Sequence, residues 1–146
     1  MKTGQQRKRV VCMSEVETYC GSNDLGISFS ISSGRVVIFL KALETLGFPE
    51  YIKFFVNPTK RAVAIQTCGI DDEGAKRVPY GLIKEGASIK IMYLTRMVYE
   101  ICNWDVNKTY RVTGEFYPKN QVICFDLNRP CEIVDGRIEK TVGETV

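Results

Sequence analysis

Short clusters of basic residues have the clearest chemical use in this chain. They are Arg7-Lys8-Arg9, Lys60-Arg61 beside a proline, and Lys76-Arg77. Clustered cations suit contacts to successive phosphates, which supply affinity for a nucleic acid without reading its sequence. Each cluster is also short enough to be an ordinary solvated surface, and a formal net charge of +3 does not make the chain a polycation. Composition therefore leaves both interpretations open.

The residues needed for common catalytic sites are missing. The sequence contains no histidine, so neither a Ser-His-Asp nor a Cys-His arrangement can form. Neither glycine-rich phosphate-binding motif is present. Asp71, Asp72 and Glu73 could bind a divalent cation through oxygen atoms, but adjacent acids beside a glycine are more often solvated. We expect a protein that is not an enzyme, with no cofactor and no metal site.

The cysteines are typical of free thiols. They lie at positions 12, 20, 68, 102, 124 and 131, with no Cys-x-x-Cys pair. A chain of 146 residues can bury a sufficient core without disulfides or metal. The N-terminus lacks the apolar region of a signal peptide, and the longest apolar run, 36–40, is too short to cross a membrane. These features predict a cytoplasmic protein with reduced cysteines and no membrane association.

The sequence contains two copies of a short pattern that predicts a helix followed by a hairpin, and such repetition indicates architecture. Apolar residues at helical spacing predict one helix near 39–46 and another near 94–102, closed by Gly47 and Asn103. Phe48 and Trp104 follow as predicted apolar anchors. Each helix precedes a hairpin with a proline and a lysine at its bend. Twelve positions separate Tyr51 from Val63 and also Tyr110 from Val122, which we interpret as matching tyrosines.

The remaining segments complete a single predicted domain over 1–146. Alternating patterns predict a strand at 25–31 and short strands before each helix. The first repeat spans 27–68, the connection 69–86 and the second repeat 87–127. A C-terminal hairpin at 131–142 turns at Asp135-Gly136, and 143–146 form a tail. The predicted class is α+β: a β-rich, barrel-like domain made of two strand-helix-hairpin repeats with pseudo-twofold symmetry.

One segment supports a family resemblance. Residues 32–66, SSGRVVIFLKALETLGFPEYIKFFVNPTKRAVAIQ, resemble the AbrB-like, swapped-hairpin family of DNA-binding proteins. In that family a short strand leads into a one-sided helix ending near Leu-Gly, and a two-stranded hairpin follows. Some members carry two copies in one chain. The resemblance implies a pseudo-twofold barrel and a nucleic-acid-binding surface with Arg35, accompanied by Lys53, Lys60 and Arg61.

Three functions fit these observations. The first is nucleic-acid binding by an AbrB-like regulator, in which Arg7, Lys8 and Arg9 would join the residues above. The second is a phage or mobile-element inhibitor of bacterial immunity that blocks a nuclease effector, a host protein. The third sequesters a nucleotide signal. Tyr51 and Phe55, which alternate with Lys53, could stack bases, cover the core edge or form a dimer contact. A homo-oligomer is therefore also open.

Overall fold

The computed structural model describes residues 25–134 and 137–141 as a strand-rich antiparallel sheet, curled into a half-barrel, with two helices. In chain order the elements are β1 (Gly26–Ser30), β2 (Arg35–Phe39), α1 (Leu40–Thr45), β3 (Tyr51–Asn57), β4 (Ala62–Cys68), β5 (Lys76–Arg77), β6 (Gly86–Lys90), α2 (Met92–Cys102), β7 (Thr109–Tyr117), β8 (Val122–Asp126), β9 (Cys131–Val134) and β10 (Arg137–Thr141). The predicted turn at Asp135-Gly136 and the tail lie outside the described residues.

The strand order across the sheet is β5-β3-β4-β8-β7-β1-β2-β6, and β9 pairs with both β7 and β10. Strand β7, nine residues long, joins the two parts of the sheet. Its first half pairs with β1 and β9, whereas its second half pairs with β8. The two hairpins, β3-β4 and β7-β8, therefore lie side by side through the β4-β8 pairing.

The buried apolar side chains form one cluster, to which both strands and helices contribute. Strand residues enter it in alternation, as expected for strands with one face in the core. In β4, for example, Val63 and Ile65 are buried whereas Ala62 and Ala64 are half-buried. Both helices contribute to the same cluster, α1 through Leu43 and α2 through Leu94 and Val98.

Both helices end where the sequence predicts. After α1, Gly47 has φ +81°, and after α2, Asn103 has φ +55° in the left-handed conformation. Trp104 then packs as an anchor, because its ring stacks on Tyr110 with centroids 4.4 Å apart. The expectation for Phe48 was wrong: its side chain is 52% exposed and meets only the edge of the Tyr80 ring among described aromatic residues.

The hairpin bends and the tyrosines require different alignments of the two repeats. Pro58 and Pro118 begin four-residue bends whose last residues, Arg61 and Gln121, have φ near +54° and +53°. These bends correspond at a separation of sixty positions, whereas the tyrosine match requires one position fewer. Matching Tyr51 to Tyr110 was therefore wrong, because a shift of one residue in a strand places the side chain on the opposite face.

Three cysteines of the described region, Cys68, Cys102 and Cys124, are half-buried free thiols, and Cys131 is buried. The reduced state of all six cysteines stays a prediction. Burial raises the pKa of Cys68, Cys102 and Cys124. Cys12 and Cys20 lie outside the described residues.

Candidate nucleic-acid interface

Arg35 lies directly opposite a second cation. It is the first residue of β2, and its partner across the β2-β6 ladder is Lys90, the last residue of β6. Both side chains are exposed. The Arg35 guanidinium donates a hydrogen bond to the Ser88 hydroxyl at 3.2 Å and one to the Ser88 carbonyl oxygen at 3.5 Å. Like charges placed opposite each other repel, and an anion bound between them would remove that cost.

Hydroxyl groups continue the same line across the sheet. Ser30 of β1 pairs with Arg35 on one side and with Thr109 of β7 on the other. We call Lys90, Arg35, Ser30 and Thr109 the Arg35 row. Directly paired residues share a face, so two cations and two hydroxyls are presented together. Phosphate oxygens accept hydrogen bonds from both kinds of group.

Lys90 was not among the binding residues predicted from the sequence. Position 90 lies near the end of a predicted short strand, but nothing local links it to Arg35, more than fifty positions earlier. Only the register of the β2-β6 pairing brings the two residues together.

The second predicted cluster, Lys60-Arg61, lies in the β3-β4 bend with both side chains exposed. The bend is fixed through its backbone. The Lys60 backbone N–H donates to the Asn57 side-chain oxygen at 3.1 Å, and the Arg61 carbonyl oxygen accepts from the Leu127 N–H at 2.9 Å. Because the backbone makes these contacts, the charged ends remain available. The positive charge of Arg61 also lowers the pKa of the Cys102 thiol, although burial has the larger, opposite effect.

Lys53 lies elsewhere, on the outer face of β3. Its ammonium group is 5.5 Å from the centroid of the Phe55 ring, and its cross-strand partner is Gln66. In the structure Arg35 therefore lies with Lys90, and Lys60 lies with Arg61. These two pairs and Lys53 occupy different places in the fold. Arg7, Lys8 and Arg9 lie outside the described residues.

Arg111 is a buried cation that the sequence did not single out. Its side chain is 1% exposed, and its guanidinium carbon lies 4.5 Å from the centroid of the Phe39 ring. It crosses β1 at Gly26, where a Cβ atom would be 2.1 Å from an Arg111 terminal nitrogen. This arginine belongs to the packing between strands.

The acidic segment 71–73 has a structural role. The Asp72 carboxylate accepts a hydrogen bond from the Gly69 backbone N–H at 2.6 Å, which closes a turn. Within the part of the chain that the structure describes, no group of three or more cysteine, aspartate or glutamate side chains could hold a metal ion. No helix among these residues combines the length and apolar character needed to cross a membrane.

No protein-family model matches the chain, and neither a curated protein nor a solved structure shows significant similarity to it.

Proposed function

We propose that this protein is a non-catalytic, nucleic-acid-binding module of the AbrB-like kind, with the Arg35 row as the centre of its phosphate contacts. The proposal rests on the direct pairing of exposed Arg35 with exposed Lys90. Three hydroxyl-bearing residues, Ser30, Ser88 and Thr109, lie beside this pair. Lys60 and Arg61 would add contacts from the β3-β4 bend.

The positions of the groups suit a phosphate backbone. Neighbouring antiparallel strands lie about 5 Å apart, so Arg35 and Lys90 can share one phosphate or contact two successive ones. Such contacts supply affinity that depends on salt and varies little with base sequence. The Ser30 and Thr109 hydroxyls could donate further hydrogen bonds to the same oxygens.

The hairpin ladder supports the proposed internal duplication. Ala64 pairs directly with Cys124, which occupies the equivalent position when the two bends are aligned. A twofold axis through this pair would exchange the neighbouring pair of the ladder, Val63 and Phe125, with the neighbouring pair on the opposite side of Ala64 and Cys124. The ladder between β2 and β6 is likewise antiparallel, so both strand pairs that relate the two units are compatible with one pseudo-twofold axis.

The connections support a swapped arrangement of the two units. Strand β1, which precedes β2 of the first unit, pairs with β7 of the second. Strand β5, which precedes β6 of the second unit, pairs with β3 of the first. The first unit thus contributes β1 to the second unit's hairpin, and the connection before the second unit contributes β5 to the first unit's hairpin, which fits the exchange that the AbrB-like resemblance implies.

Fluorescence anisotropy with labelled duplex DNA and with RNA, over a range of salt concentrations, tests this proposal. We expect the intact protein to bind most tightly at low salt. Arg35→Ala combined with Lys90→Ala should weaken binding to every sequence. Because two phosphate contacts are lost, log affinity should also fall less steeply with log salt, with the magnitude of the slope reduced by about two. Lys60→Ala with Arg61→Ala should act in the same direction.

The matched control is Lys41→Ala with Lys84→Ala, which removes the same charge from exposed positions outside the Arg35 row. If this control weakens binding as much as the Arg35 and Lys90 variant, the Arg35 row is not the interface. If the intact protein binds neither DNA nor RNA at low salt, the nucleic-acid proposal fails. Inhibition of a nuclease effector or sequestration of a nucleotide signal would then be the function to test.

A further inference from the structure

The outer surface of the two hairpins is a partly exposed face of mixed character. Alternate residues of β3, β4, β8 and the second half of β7 point away from the core, since their neighbours, such as Ile52 and Ile123, are buried. We call this surface the hairpin face. It comprises Tyr51, Lys53, Phe55, Ala62, Ala64, Gln66, Cys68, Val122, Cys124, Asp126, Glu115 and Tyr117.

The centre of the hairpin face is small and apolar, with aromatic residues on both outer strands. Ala64 and Cys124 face each other across the β4-β8 ladder. Phe55 on β3 and Tyr117 on β7 are each 46% exposed. Small residues at the centre allow another flat sheet to approach closely, and exposed aromatic residues at the sides supply apolar area to bury.

Charges are divided between the two sides of the hairpin face. Lys53 is on the β3 side, and Glu115 is on β7. Three strand spacings separate β3 from β7, about 14 Å, so these side chains cannot pair within one chain. Asp126, on β8, adds a second exposed acid to the β7 side. The face therefore carries complementary charges that a single molecule leaves apart.

We propose that the hairpin face binds a second copy of this chain in a symmetric dimer. A twofold axis parallel to the strands, between β4 and β8, places β3 of one protomer over β7 of its partner. Because Phe55, Ala64, Cys124 and Glu115 lie in one row across the sheet, this axis places Phe55 over the partner's Glu115 and Lys53 over the partner's Tyr117. The Tyr117 hydroxyl donates to the Glu115 carboxylate at 3.0 Å, so Lys53 lies close to that acid. Ala64 lies over Cys124, small residue against small residue. Two sheets stacked in this way are separated by about 10 Å.

A second copy fits this face better than a nucleic acid does. The acids Glu115 and Asp126 would repel a phosphate backbone, whereas Glu115 lies near the partner's Lys53 in the symmetric arrangement. This dimer would leave the two cations of the Arg35 row on β2 and β6, outside the hairpin face, so the inference does not depend on the proposed function. Four strands offer a modest area, and we expect a concentration-dependent dimer rather than an obligate one.

Sedimentation velocity of the full chain over a range of concentrations provides the first test. The unaltered protein should shift from monomer to dimer as concentration rises. Lys53→Glu alone and Glu115→Lys alone should each weaken the dimer about tenfold or more, because like charges then meet at two symmetric contacts. The combined variant should recover most of the affinity, since the charges are exchanged but complementary.

The controls reverse charges elsewhere: Lys84→Glu and Glu73→Lys occupy exposed positions outside the hairpin face and should leave the dimer unchanged. Circular dichroism and thermal unfolding identify any variant that fails to fold. A protein that stays monomeric at all concentrations overturns the proposal. So does a dimer that is indifferent to both single reversals, or one that the combined variant does not restore.

Chemical crosslinking gives an independent measurement on the unaltered fold. In the proposed dimer both the two Cys124 thiols and the two Cys68 thiols lie near the twofold axis, because these residues face outward from the central strands β8 and β4. A short bismaleimide should crosslink the unaltered protein, and Cys68→Ser combined with Cys124→Ser should strongly reduce the yield, while Cys102→Ser should leave it unchanged. Equal yields in the double variant and the unaltered protein would place the contact on another surface.

Discussion

Gly26 illustrates how a single residue controls the packing of a buried charge. The Arg111 side chain crosses β1 at this position to reach the Phe39 ring, and a Cβ atom would lie 2.1 Å from one of its terminal nitrogens and 2.4 Å from its guanidinium carbon. A long exposed side chain could move aside at little cost. Arg111 is 1% exposed, so its guanidinium could move only by displacing the side chains packed around it.

We therefore predict that Gly26→Ala lowers the free energy of unfolding by about 1 to 3 kcal/mol, the usual cost of overpacking a close-packed interior. Urea denaturation measures this change. Gly69→Ala is the matched control, because a Cβ there would lie 3.7 Å from its nearest neighbour, an Asp72 carboxylate oxygen, and should change stability by less than about 0.5 kcal/mol. Equal losses in the two variants would contradict the role assigned to Gly26.

Among the elements, the two hairpins depend on a left-handed residue at the end of each bend. Arg61 and Gln121 have φ of +54° and +53°, and both backbone N–H groups donate to the carbonyl oxygen of the bend proline at 3.3 Å. This conformation is accessible to glycine and asparagine but strained for most side chains, and most of all for branched ones. The chain tolerates the strain because strand pairing on both sides fixes the bend.

Gln121→Val should consequently destabilise the protein by about 1 kcal/mol or more, since a β-branched residue pays the full cost of the left-handed conformation. Gln121→Gly should be neutral or stabilising for the same reason. Thermal unfolding of both variants measures the difference. Lys119→Val, in the same exposed bend but without a positive φ, serves as the control; a loss there equal to that of Gln121→Val would rule out backbone strain as the cause.

At the scale of the whole molecule, Tyr99 ties distant parts of the chain together. It lies on α2, is 2% exposed, and its hydroxyl donates to the Phe29 carbonyl oxygen of β1 at 3.0 Å. The same hydroxyl contacts the carbonyl oxygen of Lys108, just before β7. Burial, as the largest cause, raises the pKa of Tyr99 to about 12.

The raised pKa gives stability a defined dependence on pH. Below pH 10 Tyr99 is neutral in both the folded and the unfolded chain, so its contribution is fully present. Between pH 10 and about 12 the unfolded chain releases the proton while the folded chain keeps it, so this contribution is lost as pH rises. Tyr99→Phe removes the hydroxyl contacts, and it also removes this decrease in stability at high pH.

We predict that Tyr99→Phe is less stable than the unaltered protein by about 1 to 3 kcal/mol near neutral pH, because a buried hydrogen-bonding group is removed. The difference should shrink as pH rises above 10, where the unaltered protein alone loses the tyrosine contribution. Urea denaturation across this range, compared with the exposed Tyr93→Phe as control, measures it. A difference that stays constant with pH would show that Tyr99 does not contribute through its proton.

Local patterns in the sequence determined the elements of this fold. Apolar spacing located both helices, Gly47 and Asn103 marked their ends, and the prolines marked both bends, because each of these features depends on residues within one or two turns of chain. The missing histidines excluded two catalytic arrangements from composition alone. Arg35 was singled out through the family resemblance, but its neighbour was not.

Only the tertiary structure decided how these elements meet. The register of the β2-β6 ladder places Lys90 beside Arg35, and the register of the hairpins separates Tyr51 from Tyr110. Phe48, which was predicted to be an apolar anchor, is exposed, and Arg111, which was not singled out from the sequence, is buried. Antiparallel register joins residues that are far apart in sequence, and a shift of one position inverts every side chain. It is therefore fixed by the packing of the whole sheet and not by any local segment.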